Sequence, residues 1–592
     1  MNGAGALTTG TNSKIPEILA PGGSIEAIET AMANGADAVY LGVGDLNARA
    51  RAANLQEPQL PGIVEYVHSF GSRVYVTLNI PVTRFNVRET ARTMAACHES
   101  GVDALIVRDP VIMKTAAALL PDLPIHASTQ AGVHSVETAR RMADLGCRRV
   151  ILARECSRND ISAIRKALPD LELEVFVFGA MCFGVSGLCM MGHSVSGRSG
   201  NHGACCQSCR LPYFDTGDEP VGYVFSMKDL DLVPHIPELV ALGVAAFKIE
   251  GRLKTPSWVG CVTKWLRTAL DRPVPGLDSA EYAQFDRDVS VLFSRRRTDG
   301  FFVGDTDAET VLSTDNQTHA GLDVGQFRSR QDHTGHWISF KTPVDINVRD
   351  GLLVKVGDDS APGGCQWLPV GVRALVDGRG RSAIRIAAGH DVSVPLPEEL
   401  RRSTVLAVHI HSADSVRARY RKVERPVPGA VVEGTVPWPE FLAAEVRADS
   451  ITASMRLGRF KAAASCPIES SAARAEGISA DHLKKYFGMA RTTITPGLFV
   501  NPSSLKAARR ELIAGFMAAR DEEIRQRAEA LATRISSMSD QFQPSDDELI
   551  DRGNGTVAIS RVTGMKEGCV YTSGGDGFRI EPGADSTRIR KA

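Results

Sequence analysis

The chain has no stretch approaching the roughly 18 consecutive apolar residues that a membrane-spanning helix needs, which excludes a helical membrane protein. It also lacks an excess of either charge. Lys and Arg total 68 against 69 Asp and Glu, for a formal net charge of −1 over 592 residues. No global field therefore draws nucleic acid or a charged surface, and any RNA contact has to come from local patches. The segment Met1–Lys14 has neither a basic n-region nor an apolar h-region, so no secretory signal is expected and a reducing cytoplasm is the expected compartment. Near the cysteine-rich stretch described next there is no His-Glu-x-x-His and no Gly-x-Ser-x-Gly, and Gly184-Val-Ser-Gly does not match the latter. A cysteine-peptidase reading would need a thiol paired with His193 or His202, and clustered thiols compete for metal instead.

What the chain does have is a concentration of cysteine. Glu174–Phe178 reads as a strand that breaks at Gly179, and Cys182, Cys189, Cys205, Cys206 and Cys209 follow in a Gly- and Ser-rich loop. Five of the 12 cysteines thus fall within 28 residues, without the apolar periodicity of a core. Cys97, Cys147 and Cys261, in apolar surroundings, suit the ordinary role of a small buried hydrophobe. The loop cysteines suit convergence on a soft metal, because such clustering in a cytosolic chain points to metal or catalysis more often than to disulfides. Structural zinc favours two short Cys-x2-4-Cys knuckles, and the loop offers at most one, ending at Cys209. An iron–sulfur cluster, which tolerates wider spacing, is favoured over zinc.

Around this loop a pattern recurs: a helical stretch, a glycine, a few small or polar residues, then an apolar run. It occurs at Gly35, Gly101, Gly146 and Gly243, each placed as the left-handed residue that ends a helix. Further apolar runs lie at Glu17–Ala20, Val74–Leu78, Pro124–Ala127 and Glu174–Phe178, making eight strands over about 250 residues. The count predicts a (β/α)8 TIM-like barrel, with a doubly wound sheet as the alternative. A barrel places its chemistry at the C-terminal ends of the strands. Those ends carry Arg108, His126, Gln130, Arg154, Glu155, the cysteine loop, Lys248, Glu250 and Arg252. Taken singly, His126 is as well explained as a core histidine, and Lys248 and Glu250 as a structural pair. Taken together, eight polar strand ends argue for a site.

These residues also carry a family resemblance. Glu174-Val-Phe-Val-Phe-Gly-Ala-Met-Cys182, Gly187-Leu-Cys189, Gly203-Ala-Cys-Cys-Gln-Ser-Cys-Arg-Leu-Pro-Tyr213 and Phe247-Lys-Ile-Glu-Gly-Arg252 resemble the signature of the collagenase-like peptidase family U32. Leu19-Ala-Pro-Gly-Gly and His126-Ala-Ser-Thr-Gln130 agree, over about residues 15 to 300. The peptidase name is historical. The resemblance implies an oxygen-independent hydroxylase carrying a 4Fe-4S cluster, acting on pyrimidines of ribosomal or transfer RNA with prephenate as a requirement, or on a quinone precursor. Ser313–Gly325 and Phe487–Pro502 look like the long branch that hydroxylates a ribosomal cytidine. Iron–sulfur assembly machinery and an electron donor are the further partners implied. Cys182, Cys189 and Cys205 transfer as ligands. Relatives commonly read Lys-Asp-Leu-Cys where this chain has Lys228-Asp-Leu-Asp231, so the fourth ligand is Asp231, Cys206 or Cys209, with Cys209 favoured. In this reading Arg108, Arg154, Lys248 and Arg252 clamp an anionic co-substrate, and Glu155, Glu250 or His126 move protons.

Along the chain the expected order is a flexible segment 1–14, a catalytic barrel 15–305 with its cysteine loop 179–210, and a small β-barrel or sandwich 306–426. An α+β domain 427–537 ending in a long helix follows, then a partly disordered tail 538–592. Two basic stretches, Arg295-Arg-Arg297 and Arg417-Ala-Arg-Tyr-Arg-Lys422, are candidates for RNA phosphate contacts.

Overall fold

The computed structural model describes residues 15–539 except 50–53, 215–219, 273–275, 305, 314–317, 334, 358–364, 422, 424, 429–430, 432–438, 473–477 and 489–490, together with 569–571, 577–582 and 587–591. The expected segment 1–14, parts of Ser313–Gly325 and Phe487–Pro502, and Lys422 lie outside the described residues.

Eight strands form the frame: β1 Glu17–Pro21, β2 Ala38–Leu41, β3 Arg73–Leu78, β4 Ala104–Val107, β5 Ile125–Ala127, β6 Arg149–Ile151, β7 Glu172–Ala180 and β8 Ala246–Glu250. They are hydrogen-bonded in the order β8-β1-β2-β3-β4-β5-β6-β7, and β8 returns to pair with β7. That last pairing, parallel with Ala246 opposite Glu174, closes the sheet into a barrel and rules out the doubly wound alternative. The local chemistry is what the repeat implied. Gly35, Gly101, Gly146 and Gly243 all have positive φ, between 71° and 89°, where a Cβ would be strained. Helix starts are equally explicit: Asp109 accepts from the Val111 amide ahead of Pro110, and Thr255 caps the helix Pro256–Leu270.

The barrel interior carries charge as well as Val and Ile. Arg149 reaches Glu17 at 2.9 Å, Glu172 at 2.8 Å and Glu174 at 3.3 Å, and Lys248 reaches Glu174 at 2.8 Å. Glu174 and Lys248 are 0% and 4% exposed, and the ammonium also lies 4.2 Å from the centre of the Tyr40 ring. Lys248 thus lies in the lumen paired with Glu174, and burial lowers its amine against the pull of that carboxylate. β7 overruns the barrel and pairs antiparallel with Asp229–Asp231. Gly179, at φ 114°, permits this: a Cβ there would collide with the Glu250 carbonyl oxygen.

The chain compacts as two units that interleave in sequence, residues 1–40, 126–425 and 544–592 forming one and 41–125 with 426–543 the other. In the first, the β region holds a four-stranded sheet of Leu322–Asp323, Val405–Ser412, Gly351–Gly357 and Cys365–Gly371. A five-stranded sheet contains Phe327–Asp332, Gly335–Lys341, Asp391–Pro395, Leu375–Asp377 and Ser382–Ala383. Within the expected tail, the described strands Cys569–Tyr571, Gly577–Pro582 and Thr587–Lys591 pair in sequence and join Tyr213–Phe214, just after the cysteine loop. In the second unit the sheet Glu440–Val446, Ser450–Leu457, Phe460–Pro467 packs its Val446, Ile451 and Met455 with Leu512 and Phe516 of the helix Pro502–Ser539. Among the described residues no helix is long and apolar enough to cross a membrane.

Candidate active site at the barrel mouth

The cysteine loop leaves β7 and is fastened at several points. Glu155, just past β6, receives the Ser186 amide on Oε1 at 2.7 Å and the Ser186 hydroxyl on Oε2 at 2.8 Å. Gly187, at φ 83°, lies so close to the Gln130 carbonyl oxygen that a Cβ would collide with it. Asn201 holds the backbone of Cys189 at both ends: its Oδ1 accepts from the Cys189 amide at 3.1 Å and its Nδ2 donates to the carbonyl at 3.2 Å. The Tyr213 hydroxyl donates to the Ser208 carbonyl at 2.9 Å, next to Cys209. A loop of this length without such ties would pay too much conformational entropy to hold one shape.

Four thiols act on one another. Burial raises Cys189, and the charges of Cys182 and Cys205 push the same way. Burial pushes Cys209 up to about 12; Arg210 opposes it, while Cys182, Cys205 and Cys189 add to it. Cys206 stands apart. Its sulfur is 3.2 Å from the Ser196 hydroxyl and 2.9 Å from that of Ser208. Burial pushes this thiol up, and the two hydroxyls with backbone N–H groups outweigh it, holding Cys206 below its ordinary value. Among the described residues no three His, Cys, Asp or Glu side chains already converge so as to hold a single metal ion.

Asp231 is committed elsewhere. It accepts from the Tyr282 hydroxyl at 2.9 Å and the Val233 amide at 3.1 Å, and pairs with Arg297 at 3.1 Å. Burial nonetheless raises its carboxyl. An aspartate so engaged is not a free ligand for the cysteine loop.

The other strand ends divide into two groups. Arg154 donates to Glu250 at 2.9 Å, and its guanidinium lies 4.5 Å from the centre of the Phe176 ring. The pair is 11% and 13% exposed, while the Arg154 Nε and the Gln130 Oε1 are buried with no hydrogen-bond partner among the described residues. Both atoms are thus available to a bound molecule. Glu155, by contrast, has both oxygens occupied by Ser186 and serves as the loop's anchor. His126 and Arg252 are buried, at 3% and 6% exposure. Arg108 is half-buried directly after β4, in the second unit. In the first basic stretch Arg295 pairs with Asp229 and Arg297 with Asp231, while Arg296 is exposed. In the second, Tyr420 is 1% exposed and donates to Asp288, which also pairs with Arg419, while Arg417, Arg419 and Arg421 remain exposed.

Sequence reasoning passed over Lys254. The turn Gly251–Lys254 folds back on the end of β8, and the Lys254 Nζ comes to rest 2.8 Å from the centre of the Phe293 ring and 5.4 Å from that of Trp258. Burial dominates its titration and brings the amine down to about 7. Its position, two residues beyond Arg252 in the same strand-end motif, was the available signal.

Fold and site together define a thiol-rich (β/α)8-barrel protein with its polar groups gathered at one mouth. The profile of Peptidase family U32 matches residues 23–312, and the chain belongs to that family. It is 34% identical over 348 residues to a 23S rRNA 5-hydroxycytidine synthase of Escherichia coli, a match covering 58% of this chain and 49% of that protein. It is 36% identical over 305 residues to a tRNA hydroxylation protein of Helicobacter pylori, covering 48% and 71%. A collagenase of Porphyromonas gingivalis is 31% identical over 310 residues, covering 49% and 73%. The match thus spans about half the length of the ribosomal RNA synthase.

Proposed function

We propose that this chain is an oxygen-independent hydroxylase of an RNA pyrimidine, with a ribosomal cytidine the favoured target, prephenate a co-substrate and the cytoplasm its compartment. The observation that carries the reading is the meeting, at one barrel mouth, of four mutually interacting thiols with the Arg154–Glu250 pair and its unspent Nε. The donor set fits a 4Fe-4S cluster: four cysteines of one loop, with Cys206 and Asp231 bound up in other contacts. Cys182, Cys189, Cys205 and Cys209 would hold it, and the group would supply one-electron chemistry when bound. The protein's share is position. Glu155 fixes the loop through Ser186, Glu250 orients Arg154, and the free Arg154 Nε suits a carboxylate or phosphate oxygen. Gln130 offers Oε1 to an N–H or O–H of the bound molecule. The names of the relatives favour RNA over a quinone precursor as the acceptor, and two of the three name RNA hydroxylation or hydroxycytidine.

The test has two arms. Anaerobically purified protein should hold about four irons and four sulfides per chain. Cys209→Ser should lose them and Cys206→Ser keep them. A strain lacking the gene should lose a hydroxypyrimidine from ribosomal RNA digests, restored by the wild-type chain. One zinc, or full iron in Cys209→Ser, would sink the ligand assignment; intact nucleosides with a quinone deficit would redirect the function to a small aromatic.

A further inference from the structure

We propose that Lys254 is the proton-accepting base of this mouth, taking the hydrogen that leaves the substrate's reacting carbon. The inference rests on the hydroxylase reading for its substrate, and on the geometry of the β8 turn for the residue. Gly251 makes that geometry possible: a Cβ there would stand 2.5 Å from the Trp258 ring and 3.3 Å from the Lys254 Cγ. The amine is thereby laid against two aromatic faces, which offer no hydrogen-bond acceptor to an ammonium. The Arg295 guanidinium lies 4.9 Å from the centre of the same Phe293 ring, on which His319 also stacks. Four charged groups bear on Nζ. Asp229 and Glu250 favour the ammonium; Arg295 and Arg210 oppose it. Asp229 is itself taken by Arg295 at 3.0 Å, and Glu250 by Arg154 at 2.9 Å. Burial therefore decides the balance, and the resting amine keeps a free lone pair near neutral pH. Its place is at the barrel mouth: Lys254 stands four residues beyond Glu250, past the C-terminal end of β8.

Replacing a ring C–H by C–OH releases the carbon's hydrogen. The C–O bond and the two-electron oxidation that forms it belong to the hydroxylase reading. In the later step assigned to Lys254 the C–H bond of the resulting sp3 carbon breaks, its electron pair stays in the ring and restores aromaticity, and the proton passes to Nζ, which becomes an ammonium against Phe293. That transfer is redox-neutral. The experiment is an NMR titration of the full-length protein carrying 13C-dimethylated lysines, with Lys254→Arg identifying the resonance. One signal should titrate near 7 and vanish in the variant; a Lys254 signal titrating above about 9.5, close to a free lysine, overturns the proposal whatever the RNA shows. With holoenzyme and RNA, turnover should rise with pH through 7. Lys254→Arg should lose that limb and at least ~100-fold in kcat, the scale of general-base catalysis, with KM for RNA within twofold. A variant within threefold of wild type on the same pH profile refutes the role. A signal near 7 in protein that forms no hydroxypyrimidine overturns the RNA reading and leaves the amine's basicity standing.

Discussion

Inside the barrel, Arg149 and Lys248 are enclosed by Glu17, Glu172 and Glu174, five charged side chains that use one another up. At the mouth, Arg154 has one carboxylate for a partner and leaves its Nε unspent, and Lys254 lies on aromatic rings. The residue types are the same; the difference is what remains unsatisfied. A closed network spends its charge on specifying the register of β1, β6, β7 and β8. An open one retains interaction energy for whatever enters. Sequence alternation alone puts Lys248 and Glu250 on one side of β8, which made both look like site residues, yet only Glu250, two residues further along, reaches the rim.

The comparison breaks most easily at Lys248. Removing it leaves Glu174, 0% exposed, with a smaller share of positive charge. Breaking a buried pair in this way costs about 3–5 kcal/mol, so Lys248→Met should show that loss in urea unfolding followed by circular dichroism. A stable Lys248→Met protein that has lost turnover would move Lys248 into the site and erase the distinction. Glu155 tests the boundary between the two classes. Its carboxylate accepts two hydrogen bonds from Ser186, and bonds to a charged group are worth about 1.5–3 kcal/mol each. Glu155→Ala should lower hydrogen-exchange protection at Ser186, Gly187 and Leu188 by 10-fold or more while leaving β-strand protection unchanged (~1.4 kcal/mol per tenfold). Unchanged protection there would mean that the loop is held by Asn201, Gly187 and Tyr213 without Glu155.

Much of the barrel could be read before the structure, because its signals are local. A left-handed glycine at Gly35, Gly101, Gly146 or Gly243 is a backbone requirement that the residue type itself records. The cysteine set was legible for a similar reason, since thiols in a Gly-rich loop have few other uses. What failed was anything set by distant partners. Nothing near Tyr420 announces that Asp288, 132 residues away, will take its hydroxyl and that Arg419 will pair with the same carboxylate. The stripe therefore reads as open throughout, yet its Tyr420 is buried while Arg417, Arg419 and Arg421 are exposed. Asp231 looked like a substituted ligand until Tyr282 and Arg297 were in place around it. The interleaved units escaped for the same reason: the helix Pro502–Ser539 belongs to the same compact unit as Val87–Ser100, far earlier in the chain. Lys254 was missed because its environment is made by Phe293 and by a turn whose tightness depends on Gly251.

A pH dependence sharpens the comparison from the side of stability. A free lysine titrates near 10.4, and folding brings Lys254 down to about 7. Between these two values the unfolded chain holds a proton that the folded amine lacks. Stability therefore rises with pH across that window, because the slope follows the protons bound by the unfolded state minus those bound by the native state. Below about 7 both states are protonated and the full cost of burying the ammonium is felt; above about 10.4 neither is, and the cost vanishes. Lys254→Met has no such term. The unfolding free energy of wild type minus that of Lys254→Met should accordingly climb steadily from pH 7 to pH 10. A difference that stays flat over the window would mean that Lys254 keeps its proton when folded, and the mouth would then be as closed as the lumen beneath it.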